Sequence, residues 1–162
     1  MKTFIEKNYK IFELFDKQWA LVTAGDLNNY KTCPVGWGSF GTAWGRSVVT
    51  IYVNPKNYSW ESLKDSDVFT VTFFPDQYKN TLRYLGEHSG KDGGKVTKTG
   101  LTPVEFCGGV DFEEANLSFA CKKIYAGPFE REGLAEEVNR CYTDWEPHWM
   151  FVGEVIEAKD QR

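Results

Sequence analysis

The sequence predicts a mainly β protein, built as a mostly antiparallel sheet or barrel with a few inserted helices. Short runs of β-branched and aromatic residues recur along the chain, and Gly, Pro or Asn residues bound them. The helical segments are fewer and do not alternate regularly with the strands, which argues against a doubly wound parallel sheet. Aromatic residues make up 16% of the 162 residues, and this class favours strands and dominates buried cores.

Five segments carry the strand pattern. The first ends at Gly25, the second at Asn54 and the third at Pro75, each a residue that interrupts regular pairing. The predicted strands are residues 19–24, 47–53, 68–74, 117–125 and 149–158.

Three segments carry helix signals. One spans residues 59–64 with Ser59 as a possible N-cap, and one starts at Pro75 and runs to about residue 85. A third candidate spans residues 130–140, with Leu134 and Val138 as its apolar stripe. The polar segment 86–102, rich in Gly, Lys and Ser, is either a mobile loop or a binding loop.

Charge and the cysteines exclude several classes of protein. The 19 Lys and Arg against 23 Asp and Glu give 19 − 23 = −4, which disfavours nucleic-acid binding. The N-terminal residues lack the apolar core of a secretory signal, and no run approaches the roughly 18 apolar residues of a membrane span. The four cysteines have no CxxC spacing, so we expect no metal and reduced thiols. We therefore expect a cytoplasmic protein, free of membrane and nucleic acid, with residues 1–162 as one domain.

Several motifs leave alternatives open. Residues 36–41 match G-x-G-x-x-G, but the following residues are too few and too glycine-rich for the helix of a dinucleotide site. A bulged glycine-rich strand or turn is the alternative. The lysines near residues 56 and 91–98 form either an anion site or a solvated loop. His148 either contacts a ligand or caps a strand edge, and Cys33, near Lys31, is a weak candidate for a reactive thiol.

The order of the segments resembles the flavin reductase-like, FMN-binding split-barrel family, close to its flavoredoxin-type branch. The resemblance covers most of residues 17–158 and is carried by seven segments in the family's order. They are residues 19–25, 36–44, 53–59, 69–75, 86–95, 100–103 and 152–155.

The resemblance implies a six-stranded antiparallel Greek-key split barrel with flanking helices, assembled as a homodimer. It implies noncovalent FMN near the dimer interface, reduced by NAD(P)H or by a redox protein, so that the function is that of a flavoprotein oxidoreductase. The redox chemistry then belongs to the cofactor, and the protein supplies position and electrostatics. No catalytic acid or base is assigned.

The same resemblance implies which residues bind FMN. Residues 32–39 line the ring system, Trp37 and Phe40 give it bulky surroundings, the 56–59 turn holds the phosphate, and the 89–95 loop closes over the cofactor. The implied cofactor-binding residues are Thr32, Cys33, Trp37, Gly38, Ser39, Phe40, Lys56, Tyr58, Ser59, Ser89, Gly90, Lys91 and Lys95.

The chain departs from the family pattern in these same segments. Pro34 and Gly36 stand where hydroxyl residues are usual, and Asn54 and Asn57 stand where the phosphate turn usually has arginines. Lys91 replaces Arg, and Gly94 replaces Asp. These differences favour a second hypothesis, a non-enzymatic split-barrel binding protein in which FMN affinity is weakened or lost.

Overall fold

A curved antiparallel sheet organises the computed structural model, which describes residues 8–92 and 94–162. Its described strands are β1 (Ala20–Asp26), β2 (Asn29–Val35), β3 (Gly38–Ala43), β4 (Arg46–Val53), β5 (Val68–Phe73), β6 (Pro103–Phe106), β7 (Gly109–Phe112), β8 (Leu117–Pro128) and β9 (Trp149–Asp160). Its described α-helices are α1 (Trp60–Asp65), α2 (Lys79–Glu87) and α3 (Glu136–Asn139). A π-helical segment spans Glu13–Gln18, and 3-10 turns span Asp76–Tyr78, Gly90–Asp92, Thr97–Thr99 and Arg131–Gly133.

Seven strands form the main sheet in the order β2-β1-β5-β8-β9-β4-β3, and β6 pairs with β7 as a separate ribbon. All of these pairings are antiparallel. Sheet residues such as Val22, Phe69 and Phe119 fill one buried cluster, and a second cluster, which includes Leu82 and Phe112, joins α2 to the ribbon. The fold is therefore the mainly β architecture that the sequence predicts, with helices on its flank.

The two edge strands of the sheet are consecutive in the chain. Val35 at the end of β2 pairs with Ala20, whereas Gly38 at the start of β3 pairs with Ile51 of β4. Only Gly36 and Trp37 lie between them, and the Tyr52 amide donates to the Trp37 carbonyl at 3.3 Å. The sheet thus closes on itself through one extended stretch that changes partner halfway. Counting this stretch once gives the predicted six strands of a split barrel, and counting it twice gives the seven observed.

A glycine allows the long strands β8 and β9 to lie close to the core. A Cβ at Gly153 would stand 2.6 Å from Phe69 Cζ and 2.5 Å from Cys121 Cβ. Cys121 is buried in β8, as the alternating pattern predicts. The register between β8 and β9 shifts near Ala120 and near Lys123, which bends the pair around the barrel.

The five predicted strands are confirmed, with small extensions at their ends. The predicted helix at 75–85 is found as a 3-10 turn followed by α2, which continues through Gly86 to Glu87. The predicted helix at 130–140 is confirmed only in part: α3 covers Glu136–Asn139, and Leu134, extended with φ −87° and ψ 138°, separates it from a 3-10 turn. No residue of either segment is buried, and a short helix without tertiary support is unstable in water.

No helix in the described part of the chain has the length and apolar character needed to cross a membrane. Within residues 8–92 and 94–162, no three metal-ligating side chains of His, Cys, Asp or Glu cluster together. All four cysteines, at positions 33, 107, 121 and 141, are free thiols in this structure.

Candidate functional site

The turn between β4 and α1 is held by its two asparagines. The Asn54 Oδ1 atom accepts from the Lys56 amide at 2.9 Å, and the Asn57 Oδ1 atom accepts from the Ser59 amide at 3.0 Å. Such Asx turns fix a loop without needing regular pairing. The residues that stand where the family pattern has arginines therefore use their side chains to shape the turn.

Tyr58 joins this turn to the glycine-rich loop that follows α2. A Cβ at Gly90 would lie 2.4 Å from Tyr58 Cδ1, so the loop packs against the tyrosine ring only because residue 90 is glycine. The ammonium groups of Lys31 and Lys91 lie 5.0 and 5.9 Å from the centroid of the same ring. Segments that are distant in the sequence, at 31, 58 and 90–91, thus meet at one tyrosine.

A polar cavity of about 240 Å³ lies beside Tyr58, and we call it the cationic cavity. Backbone and polar side chains of β2, of the 54–59 turn and of the glycine-rich loop surround it. Its lining residues are Asn28, Asn29, Tyr30, Lys31, Thr32, Ser59, Gly90, Gly94, Lys95, Val96 and Thr97. The Thr32 Oγ1 atom is buried and has no hydrogen-bond partner among the described residues. The cavity is therefore lined by two lysines, and one of its lining residues carries a buried hydroxyl group without a partner among the described residues.

Two of the predicted lysines are already engaged. Lys56 forms an ion pair with Glu146, with a distance of 2.9 Å from Nζ to Oε2. The Lys95 ammonium donates to the backbone carbonyls of Thr32 at 2.9 Å and of Leu85 at 3.2 Å. Lys95 therefore ties β2 to the end of α2, where positive charge is favourable.

The second cavity of interest, of about 180 Å³, is also lined by residues of the 54–59 turn, and we call it the aromatic cavity. Its lining residues are Pro34, Val35, Gly36, Trp37, Tyr52, Val53, Asn54, Asn57 and His148. The Trp37 and His148 rings stack with centroids 4.3 Å apart and planes inclined by 32°. Trp37 is 52% exposed, so much of its indole surface faces solvent.

The 129–148 segment lies beside this aromatic cavity, and its last residue, His148, lines it. The Tyr142 hydroxyl lies 2.9 Å from His148 Nδ1, and Glu146 reaches Lys56. Phe129 stacks on Tyr52 with ring centroids 5.4 Å apart. Burial lowers the pKa of His148, so its neutral form is favoured in this position. The 129–148 segment therefore packs against the predicted site.

Cys33 packs in the sheet's buried cluster, and its neighbour Ser59 lines the cationic cavity. Both side chains are buried, with exposed fractions of 1% and 2%. Burial raises the pKa of the Cys33 thiol to about 11, although a hydrogen bond from Ser59 and the charge of Lys95 each lower it. A thiol with this pKa is protonated at neutral pH, which argues against the reactive thiol considered from the sequence.

The remaining predicted residues are less closely gathered. Phe40 points into the core, where its ring contacts Phe119 with centroids 4.9 Å apart. Gly38 lies over Phe15, and Ser39 is exposed on β3. The Ser89 hydroxyl accepts from the Lys91 amide at 3.2 Å and so shapes the glycine-rich loop. The structure thus brings together residues 31–32, 37, 56–59, 90–91 and 94–95, and it places Phe40 elsewhere.

Three further residues at the site were not among the predicted binding residues: Lys31, Tyr142 and His148. Lys31 and His148 stand out in the sequence only as charged or titratable residues near predicted strands, and Tyr142 lies in a segment with no assigned structure. Their positions depend on contacts between distant segments, which no local pattern encodes.

An additional cavity of about 290 Å³ lies between β2 and α2. It is lined mainly by apolar groups, including Trp19, Pro34 and Leu82, and it contains none of the predicted binding residues. It shares Pro34, Val35 and Gly36 with the aromatic cavity, so the two spaces adjoin at the end of β2.

Residues 12–161 match the family model described as the flavin reductase like domain. No curated protein matches the chain by sequence.

Solved structures share the fold at low sequence identity. An FMN-binding protein from Thermus thermophilus with bound 1-cyclohex-2-enone aligns at a TM-score of 0.72 and 18% identity, covering 99% of this chain and 81% of its own. Flavoredoxin from Methanosarcina acetivorans aligns at 0.69 and 21%, covering 98% and 76%. An NADH:FAD oxidoreductase from Streptomyces globisporus, in complex with NAD and FAD fragments, aligns at 0.67 and 16%, covering 88% and 74%.

Proposed function

The chain belongs to the family of flavin reductase-like domains, and on this premise we propose that it binds FMN noncovalently and acts as a flavin-dependent oxidoreductase. Its reductant is NAD(P)H or a redox protein partner. The observation that carries the proposal is a pair of cavities that are both lined by residues of β2 and of the 54–59 turn. One offers aromatic surface, and the other offers lysines.

The residues present fit such a cofactor. Trp37 and the backbone of residues 34–37 border the aromatic cavity, where a flat ring system finds apolar contact. Lys31 and Lys95 line the cationic cavity together with Thr32, and a phosphate finds positive charge there. Gly90 leaves room for the loop to approach Tyr58. Bound FMN supplies the redox chemistry.

The chain's own residues bind the cofactor and orient it. The 129–148 segment holds His148 against Trp37 through the Tyr142 hydroxyl, at the wall of the aromatic cavity. Lys95 fixes the spacing between β2 and the end of α2, and so fixes the width of the cationic cavity. No side chain is required as a proton donor for hydride transfer in this scheme.

The flavin spectrum tests the proposal first. We expect protein incubated with FMN to keep a visible flavin absorption after desalting, and to oxidise NADH or NADPH when free FMN is added. Protein that stays colourless and binds no FMN below millimolar concentration would contradict it.

One observation favours the second candidate, a binding protein without enzymatic activity. Lys56 and Lys95 are engaged by Glu146 and by backbone carbonyls, and neither cavity is lined by an arginine at the 54–59 turn. Under this alternative the protein keeps the barrel and binds flavin weakly. NAD(P)H-dependent flavin reduction at ordinary turnover would exclude it.

We propose further that the chain forms a homodimer in the cytoplasm. An exposed aromatic residue supports this: Trp44, in the turn between β3 and β4, is 69% exposed. Tryptophan is enriched in protein interfaces. Light scattering coupled to size exclusion distinguishes a mass near 37 kDa (twice the 18.6 kDa chain) from a monomer.

A further inference from the structure

The lysines around the 54–59 turn and the glycine-rich loop differ in what their charges already contact. Lys56 is paired with Glu146, and the Lys95 ammonium is surrounded by the carbonyls of Thr32, Leu85 and His88. An ammonium held by three carbonyl oxygens has few hydrogen-bond donors left, because it has only three. The ammonium groups of these two residues are therefore poorly available to bind a further anion.

Lys31 and Lys91 are in a different position. Within residues 8–92 and 94–162, neither forms an ion pair with a carboxylate. The ammonium group of each lies over the Tyr58 ring. A cation over the face of a tyrosine keeps its N–H donors available to another partner, since the ring occupies only one side. Both ammonium groups are thus available to bind an anion.

Of the two, Lys31 is the better positioned. Lys31 lies on β2, where its backbone pairs with Ala24 of β1, and its side chain lines the cationic cavity. Lys91 is exposed on a 3-10 turn and does not line the cavity. The neighbouring Thr32 lines the same cavity, and its Oγ1 atom is buried without a partner among the described residues. A cation on a paired strand loses less conformational freedom when it binds a ligand.

We propose that Lys31 is the main phosphate-binding residue of the site, assisted by Lys91 across the Tyr58 ring, and that Lys31 makes the protein prefer FMN to riboflavin. This inference rests on the proposed function. Lys31 then supplies the positive charge that Lys56 and Lys95 do not offer to the phosphate. Lys95 is a positioning residue.

Binding of two flavins that differ only in the phosphate tests the proposal. Dissociation constants for FMN and for riboflavin are measured from flavin fluorescence with the wild type and with Lys31→Gln, Lys31→Arg and Lys91→Gln. Lys122→Gln is the matched control, because Lys122 is exposed on β8 and lines none of the three cavities. Circular dichroism and thermal unfolding confirm that each variant is folded.

We expect Lys31→Gln to weaken FMN binding about tenfold and to leave riboflavin binding nearly unchanged, as for loss of one charge-assisted contact. Lys31→Arg restores the preference, Lys91→Gln has a smaller effect, and Lys122→Gln has none. FMN binding by the wild type weakens with added salt, and the dependence is smaller in Lys31→Gln.

The outcomes that overturn the proposal are distinct from failure of the proposed function. If the wild type binds FMN and riboflavin equally, or if Lys31→Gln weakens both to the same extent, Lys31 does not bind the phosphate. The proposal of flavin binding is then unaffected. If the wild type binds neither flavin, the proposed function itself fails, and this assignment fails with it.

Discussion

His148 lies against Trp37, with the two ring centroids 4.3 Å apart, although the two residues are far apart in the sequence. Trp37 occupies the point where the barrel stretch changes from β2 to β3, and His148 precedes β9 directly. The contact therefore joins the 129–148 segment to the wall of the aromatic cavity. It links the stability of that segment to the shape of the candidate flavin site.

Replacing Trp37 tests whether its indole is part of the flavin site. We expect Trp37→Ala to weaken FMN binding about three- to tenfold, because ring stacking contributes roughly 0.5–1.5 kcal/mol. Trp37→Phe keeps an aromatic face and should retain most of the affinity. Equilibrium titration by flavin fluorescence measures both, and an unchanged dissociation constant in Trp37→Ala would place the ring system elsewhere.

The pH dependence of stability should report on His148. Burial lowers its pKa below the ordinary value of 6.5, so on acidification the unfolded chain takes up a proton before the folded chain does. The contribution of His148 to the free energy of unfolding is therefore constant above about pH 7 and falls as the pH drops from there through the folded pKa.

His148→Gln removes the titrating imidazole and, with it, this pH-dependent contribution to the free energy of unfolding. On acidification from pH 7.5 to 5, we expect the wild type to lose more stability than the variant, as measured by urea unfolding at each pH. Tyr142→Phe, which keeps the imidazole and removes the hydroxyl, should retain the difference between the two pH values. A wild type that gains stability relative to His148→Gln on acidification would contradict the assigned direction.

Lys95 should matter for stability, in contrast to Lys91. Lys95→Met leaves the carbonyls of Thr32 and Leu85 without their charged donor, and we expect a loss of about 1–3 kcal/mol in the free energy of unfolding. Lys91 is exposed, so Lys91→Gln should change the same quantity by no more than about 0.5 kcal/mol. Chemical denaturation compares them, and equal effects would remove the distinction between a positioning and a binding lysine.

Gly90 should be required for the approach of the loop to Tyr58. Gly90→Ala places a methyl group 2.4 Å from Tyr58 Cδ1, so the loop must shift, and FMN affinity should fall several-fold. Gly133→Ala is the control, because nothing lies within 4 Å of the added Cβ there. Combining Gly90→Ala with Tyr58→Ala should give a non-additive effect on FMN affinity. Strict additivity would show that the two residues do not interact.

The strands that could be predicted are those with strong apolar and β-branched patterns, such as residues 47–53 and 68–74. The edge strands β2 and β3 were not predicted as strands, because polar residues and glycines, Lys31 and Gly38 among them, interrupt their pattern. Their strand geometry comes from pairing with β1 and β4, a tertiary effect that overrides local propensity. The glycine-rich motif at 36–41 spans this stretch, which agrees with the strand alternative to a dinucleotide site.

For the site, the resemblance predicts that the 56–59 turn and the 89–95 loop adjoin each other, and in the structure they meet at Tyr58. The partner that each lysine contacts could not be predicted from the resemblance. Whether Lys56 is free or paired depends on Glu146, which follows a segment with no recognisable pattern. Likewise Phe40 was predicted near the ring system, but the alternation of β3 turns its side chain into the core.

The two-residue link between β2 and β3 also determines how the protein could be divided. Three steps of chain join the Cα atoms of Val35 and Gly38, which limits the separation of the two sheet edges to roughly 11 Å. A cut between Gly36 and Trp37 would release that limit while leaving every strand pairing in place. The two resulting fragments would each contribute part of the wall of the aromatic cavity, so a molecule bound there would favour their reassembly.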